Sequence, residues 1–348
     1  MTGRTGLFLA YGLPDAVLAG RPADAVAAAG RAEAAGVHAL LLGDRPAARP
    51  GRPAPPAAIV TASVLAVRTR RIGLVVDAAP AYHEPYNLAR MVASLDHVSA
   101  GRAGWRVVTG ADPEADANHR REGADPVDGR AAREAEFVPL LRDLWDTWED
   151  GAFVHEKDTG RFIDPGRVRV LDHRGPALRV RGPLNLVRPP QGHPVVLAPA
   201  DHPVLAREAD VLLAGSPEAA AAADRPVLAT VTPFVAGTEA GAQELHARAG
   251  APRSDADAAV LVGDGPSVAR RLLAWADRAS LHGFALRFPQ PEGVEAFTAL
   301  ALPALRAAGG LVDGHGPATL RGHLGLARPE NRIVARLTAA GTERSRPR

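Results

Sequence analysis

Asp44, Asp77, Arg106, Thr109 and His119 are the residues whose type and position could do chemistry. Asp44 follows the apolar run His38–Leu42 and Gly43. Asp77 closes the run Ile72–Val76. Arg106 and Thr109 lie in the run from Ala103 to Thr109, which ends at Gly110. His119 sits in the polar stretch 111–128 that follows. A strand that ends in a polar residue and a glycine, between helices, often delivers side chains to a site at its C-terminal end. Two carboxylates, a guanidinium, a hydroxyl and an imidazole can bind and orient a polar ligand. Each also has a plainer reading: Asp44 as a helix cap or loop acid, His119 as a solvent-exposed loop histidine.

Other chemistries find no support. The chain has no cysteine, which excludes disulfides, thiolate nucleophiles and cysteine metal sites. His97, His155, His173 and His193 are scattered without metal-ligand spacing, and no HExxH is present, so no metal site is expected. No GxSxG marks a nucleophile elbow. Gly263-Asp264-Gly265-Pro266-Ser267 is read as a turn capping a helix rather than a phosphate loop. Trp145 and Trp148, three apart on a helix, are read as packing residues.

The elements that must position these residues read clearly. The 348 residues exceed the ~250 typical of a (β/α)8 barrel and suit one domain with insertions. Hydrophobic content of 46% can fill a core. The charge, 41 basic against 39 acidic residues, is +2 and argues against nucleic acid or a membrane surface as partner. Neither a secretory signal nor a run of ~20 apolar residues is apparent, so a soluble cytoplasmic protein is expected.

Gly6–Tyr11, His38–Leu42, Ile72–Val76 and Ala103–Thr109 read as strands. Helices are expected at Ala23–Ala35, Ala57–Val67 and Glu84–Leu95, the last stopped by Ser99-Ala100-Gly101. Strands apolar along their whole length, alternating with helices, imply a parallel sheet covered on both faces. Residues 111–128 read as loop and Arg130–Trp148 as an amphipathic helix. Residues 149–193 read as an insertion across one end of the barrel, with a short strand near Leu178–Val180. Pro194–Ala198, Val211–Leu213, Val227–Val235 and Phe284–Phe288 restore the strand pattern. Helices are expected at Glu239–Ala249, Pro266–Ser280 and Val294–Ala308. Residues 311–348 are expected to wrap the outside, frayed from Thr342. The economical reading is an α/β chain: a single TIM-like (β/α)8 barrel domain over 1–348 with an insertion after the fourth βα unit.

The stretch Glu84–Gly110, EPYNLARMVASLDHVSAGRAGWRVVTG, resembles the bacterial luciferase-like flavin-dependent monooxygenases, in the branch of nitrilotriacetate and dibenzothiophene sulfone monooxygenases. Leu144–Asp150 (LWDTWED), Val180–Asn185 (VRGPLN), Pro190–Pro194 (PQGHP), Gly283-Phe284 and Leu320–Leu326 (LRGHLGL) resemble further motifs of that branch, in order. The resemblance implies a TIM-like barrel, reduced FMN supplied by a separate flavin reductase, O2 as co-substrate and oxygenation of a small organic molecule. It also implies a homo-oligomer. Such a site would shelter a reactive flavin from water while the cofactor carries the chemistry.

Carried over residue by residue, the resemblance puts Asp44 near the flavin ring. Asp77, Arg106, Thr109 and His119 occupy positions around the same cofactor, and it assigns no catalytic residue. The chain departs from the pattern at Asp77-Ala78-Ala79-Pro80-Ala81, where hydroxyls are lost. It departs also at Arg106 and Gly110, at Val127 and Ala131, at Ala198–Pro203, and at Tyr11–Asp15 after the first strand. Arg106, Arg120 and Arg121 are the candidates to restore anion binding, since arginine pairs bidentately with phosphate. Two further functions therefore stand beside the monooxygenase: a catalytically silent barrel serving as a binding or partner subunit, and a user of a deazaflavin.

Overall fold

The computed structural model describes residues 6–51, 53–119, 129–220, 223–249, 258–311 and 316–344. Eight strands form a closed barrel: β1 (Phe8–Gly12), β2 (Ala39–Leu42), β3 (Gly73–Ala78), β4 (Ala103–Val107), β5 (Val195–Pro199), β6 (Val211–Ala214), β7 (Val227–Ala236) and β8 (Gly283–Arg287). They neighbour one another in chain order from β1 to β6, and β7 joins β6 to β8, which returns to β1. All of these pairings are parallel. A ninth strand, Ala259–Asp264, pairs with Val231–Ala236 of β7 and lies outside the barrel.

Alternation along each strand makes two cores. Leu9, Tyr11, Leu40, Leu74, Val76, Trp105 and their like face outward onto the helices. Phe8, Ala10, Leu41, Val75, Leu197, Leu228 and Ala285 face inward. Trp105 and Trp145 are the largest fully buried side chains. Each keeps its indole N–H bonded, to the carbonyls of Ala78 and Ala89 at 2.9 and 3.0 Å. The helix Pro85–Val98 ends where Ala100 and Gly101 take φ of 56° and 86°, left-handed values that favour glycine.

Several expectations need correction. The segment 111–128 is not loop throughout: Pro113–Asn118 is a short helix capped by Asp112, while 120–128 lie outside the described residues. The helix from Arg130 ends at Trp145, not Trp148. Residues 149–193 hold two hairpins, Phe153–Glu156 with Arg161–Ile163 and His173–Arg174 with Arg179–Val180. The helix Pro203–Glu208 and the outer strand Ala259–Asp264 are additions to the reading. The helix expected over Val294–Ala308 is interrupted by a π turn at Phe297–Ala301.

The C-terminal stretch does not only wrap the outside. Leu320 is buried in the barrel interior, and Leu324 and Leu326 pack against the same cluster. A Cβ on Gly73 or Gly104 would come within 2.5 or 2.9 Å of Leu320, so glycine there is what admits the plug. The following helix runs from Arg332 to Arg344, past the expected fraying point; 345–348 lie outside the described residues. The N-terminal end of the barrel, its base, is thus filled by the chain itself.

Candidate active site

The open end is the other one, where the strands finish. Val75 faces the interior, and two residues further along β3 Asp77 does the same. Arg106 is its register neighbour on β4. The two side chains meet as a fork: Arg106 Nε donates to Asp77 Oδ1 at 2.6 Å and its NH2 donates to Oδ2. Asp77 is 7% exposed and Arg106 23%, so the pair is largely shielded from water. Charge-assisted bidentate contacts of this kind are among the stronger polar interactions.

Around that pair the mouth opens into a cavity of about 200 Å3, lined by Asp44, Arg45, Asp77, Tyr82, His83 and Thr109 among others. The structure therefore gathers Asp44, Asp77 and Thr109 on one cavity. Asp44 Oδ1 also accepts from the Arg45 amide at 3.1 Å and, at 3.4 Å, from that of Ala58, the first residue of the helix Ala58–Arg68. Asp44 is not the N-cap of that helix, which is Ala57, but a loop acid that reaches its first amide from the cavity side.

His119 stands one layer back. Its ring packs at a tilt against Tyr82, 4.7 Å between centroids, and its Nδ1 bonds the Ala115 carbonyl at 2.8 Å. Tyr82 Oη donates to Asp116 Oδ1 at 2.8 Å, and Arg130 donates to the same oxygen at 2.8 Å. Burial, helped by the hydrogen bond to Asp116, pushes the Tyr82 phenol up.

The rim has more ion pairs. Arg45 donates from Nε and NH2 to Asp15 Oδ2 at 2.9 and 2.7 Å. Arg49 bonds Asp112 at 2.7 Å. Burial alone would raise the Asp112 carboxyl, but the Ala115 amide and Arg49 hold it below the usual carboxylate range. Arg45, Arg49, Tyr82, Asp112 and Arg130 were missed in the sequence. Their partners lie 14 to 63 residues away, and only the loops bring them together.

On the opposite side of the mouth a second cavity, of about 680 Å3, lies at the ends of β5 to β8. Asp201, Ser216, Glu218, Thr230 and Arg287 supply its polar lining. Its size suits a drug-sized ligand. Its donors suit a flavin phosphate poorly: two carboxylates face it, and the turn after β5 reads Ala200-Asp201-His202-Pro203. Arg106, read as a phosphate ligand, is turned onto Asp77 instead. Arg120 and Arg121 lie outside the described residues. The mouth has room for a flavin, but the described residues do not fit its phosphate. Among the described residues no cluster of His, Asp or Glu could hold a metal, and no helix is long and apolar enough to cross a membrane.

A closed parallel barrel, plugged at its base and open to polar cavities at its strand ends, defines the class: a TIM-type α/β barrel with its ligand site at the mouth. The chain belongs to the luciferase-like monooxygenase family, whose sequence model matches residues 4–286, in the nitrilotriacetate and dibenzothiophene-sulfone monooxygenase branch. Nitrilotriacetate monooxygenase component A of Aminobacter aminovorans is 44% identical over 170 residues, 48% of this chain and 37% of that protein. One of the subunits of pristinamycin IIA synthase from Streptomyces pristinaespiralis is 34% identical over 302 residues, 86% of this chain and 88% of that one. Among solved structures, EDTA monooxygenase from Chelativorans sp. BNC1 superposes with a TM-score of 0.78 at 25% identity, over 93% of this chain and 99% of that one.

Proposed function

We propose that this chain works in a two-component monooxygenase system. Reduced FMN from a separate flavin reductase reacts with O2 in that system, and a small organic molecule is oxygenated. The observation that carries the reading is the closed barrel of this family opening at its strand ends into two polar-lined cavities. In this reading Asp44, Asp77, Arg106, Thr109 and His119 shape the ring side of the mouth. The chain's own part is to bind, orient and keep water out, since the flavin supplies the oxidising chemistry.

A second reading is that the chain is the silent or partner subunit of such a system. The carboxylate-bound arginines of the mouth favour it, and so does the match along most of the chain to a relative that is itself one subunit of a synthase. The test is reconstitution: the chain with FMN, a flavin reductase, a nicotinamide reductant and O2, offered a panel of small organic substrates. It is run alone and beside a family barrel that binds FMN, and products are read by mass spectrometry. An FMN-dependent gain of one oxygen in either arrangement supports the system-level reading. No such product in both arrangements overturns it.

A further inference from the structure

We infer that this chain does not grip FMN by its phosphate, so that the flavin of the system is held by a second polypeptide. The inference deepens the second of the two readings, the partner subunit, in which the flavin ring is not seated in this mouth, and rests on it for its second clause only. A flavin phosphate needs three things from a barrel mouth: cations to pair with, backbone amides left open at a helix start, and no carboxylates close by.

Among the described residues the cations of the mouth are committed. Arg45 is taken by Asp15, Arg49 by Asp112, Arg106 by Asp77, and Arg130 by Asp116 and the Gly110 carbonyl. Arg287, at the end of β8, is also engaged. Turning Arg106 toward a phosphate would strand Asp77, which is 7% exposed, as a buried uncompensated charge.

Some of the amides are committed too. Four helix starts at this end each have one amide taken by the chain's own side chains: Asp112 for Ala115, His202 for Leu205, Thr238 for Gly241 and Asp264 for Ser267. The starts at Pro85, Arg130 and Pro291 carry no such side-chain cap. Prolines at 203, 217, 289 and 291 remove further donors from the loops after β5, β6 and β8.

Finally, Asp201 and Glu218 line the larger cavity, and neither forms an ion pair among the described residues. They repel an anion arriving from solution. Among the described residues the cations and the carboxylates fail the requirements together, at different loops, and the amides meet theirs only in part.

FMN and riboflavin differ only in the phosphate, so the ratio of their affinities isolates its contribution. The purified chain is titrated with each by flavin fluorescence and calorimetry. The expected result is affinities within about twofold of each other, or no binding of either at ~100 μM. FMN binding about tenfold or more tighter than riboflavin, ~1.4 kcal/mol, overturns the inference. Two variants, checked for folding by thermal melts, test the cause: Asp77→Ala releases Arg106, and Asp201→Ser removes the exposed acid. At least one should raise the FMN-to-riboflavin ratio by about tenfold. An unchanged ratio in both folded variants counts against the ion-pair explanation. The reconstitution separates the two claims. Product from the chain alone, needing FMN and not served by riboflavin, sinks the inference and leaves the function standing. Absence of product in both arrangements sinks the function, while the affinity ratio still judges the inference.

Discussion

The two ends of the barrel use charged residues in opposite ways. At the base, carboxylates are buried and multiply bonded. Asp96, fully buried, accepts from the amides of Ala103 and Gln191 and from the Gln191 side chain. Gln191 in turn accepts from the Arg321 amide at 2.8 Å. Asp146, also fully buried, accepts from Arg188 Nε, His193 Nε2 and the Arg332 amide at 2.7 to 2.8 Å. Arg102 reaches Thr69, Ile72 and Ala66. At the mouth the groups are mostly wetter: Asp116 takes Tyr82 and Arg130, and Arg49 takes Asp112 and, at 3.4 Å, Glu114, with the Arg49 and Asp112 side chains 40% and 25% exposed. The motifs SLDHVSAGR, LWDTWED, PQGHP and LRGHLGL all meet at the base. They hold the barrel shut there. The positions that would meet a ligand lie at the mouth. Family membership read from the base therefore says little about what the mouth binds.

The sharpest way to break that contrast is Asp146→Ala. It leaves Arg188 Nε, His193 and the Arg332 amide without their acceptor, while Arg188 keeps Asp150 and the Pro329 carbonyl. Unfolding in urea should therefore show a loss of about 3–5 kcal/mol from the buried donors left unsatisfied. A loss below ~1 kcal/mol would mean that the base is no more tightly held than the rim.

Acid should act on the base next. Burial holds His193 neutral, below its usual pKa. Its contribution is therefore full above the unfolded value, ~6.5, and falls as the pH drops below it. For Asp146 burial alone would raise the carboxyl, but His193, the Arg332 amide and Arg188 outweigh it and hold it low. Its contribution is lost as the pH falls through that lowered value. Asp96 runs the other way: burial lifts it to about 6. Its contribution is fully present below the unfolded value, ~3.9, and lost as the pH rises through about 6, up to ~3 kcal/mol over that window. The stability gap between the native chain and Asp96→Asn should thus shrink from pH 4 to pH 7. A gap independent of pH would mean that Asp96 does not titrate in this window.

Much of the fold was legible because parallel barrel strands are buried on both faces and read as continuous apolar runs. His38–Leu42 and Ile72–Val76 stand out for that reason. The outer strand Ala259–Asp264 did not, since it follows a polar stretch and ends in a helix cap. The inward turn of the tail was hidden because it depends on Gly73 and Gly104, more than 200 residues earlier, leaving space for Leu320. At the mouth, Asp44, Asp77 and Thr109 could be placed from their positions at strand ends. The Asp77–Arg106 pair could not, because it follows from the register of β3 against β4 and not from any spacing.

The smallest expected effect comes from the rim. Arg49→Ala removes partly exposed pairs with Asp112 and, at 3.4 Å, Glu114, and Coulomb attraction there is screened by water and offset by side-chain ordering. The cost in thermal unfolding should be under ~1 kcal/mol, and smaller still in high salt. Asp112 also caps the helix Pro113–Asn118 through the Ala115 amide, so the carboxylate keeps a structural bond when the arginine is gone. Asp112→Ala should therefore cost more than Arg49→Ala, by the ~1 kcal/mol of a lost cap. If the two variants melted together, the rim pair would be the larger of the two interactions. The mouth would then be held by its ion pairs in the way the base is.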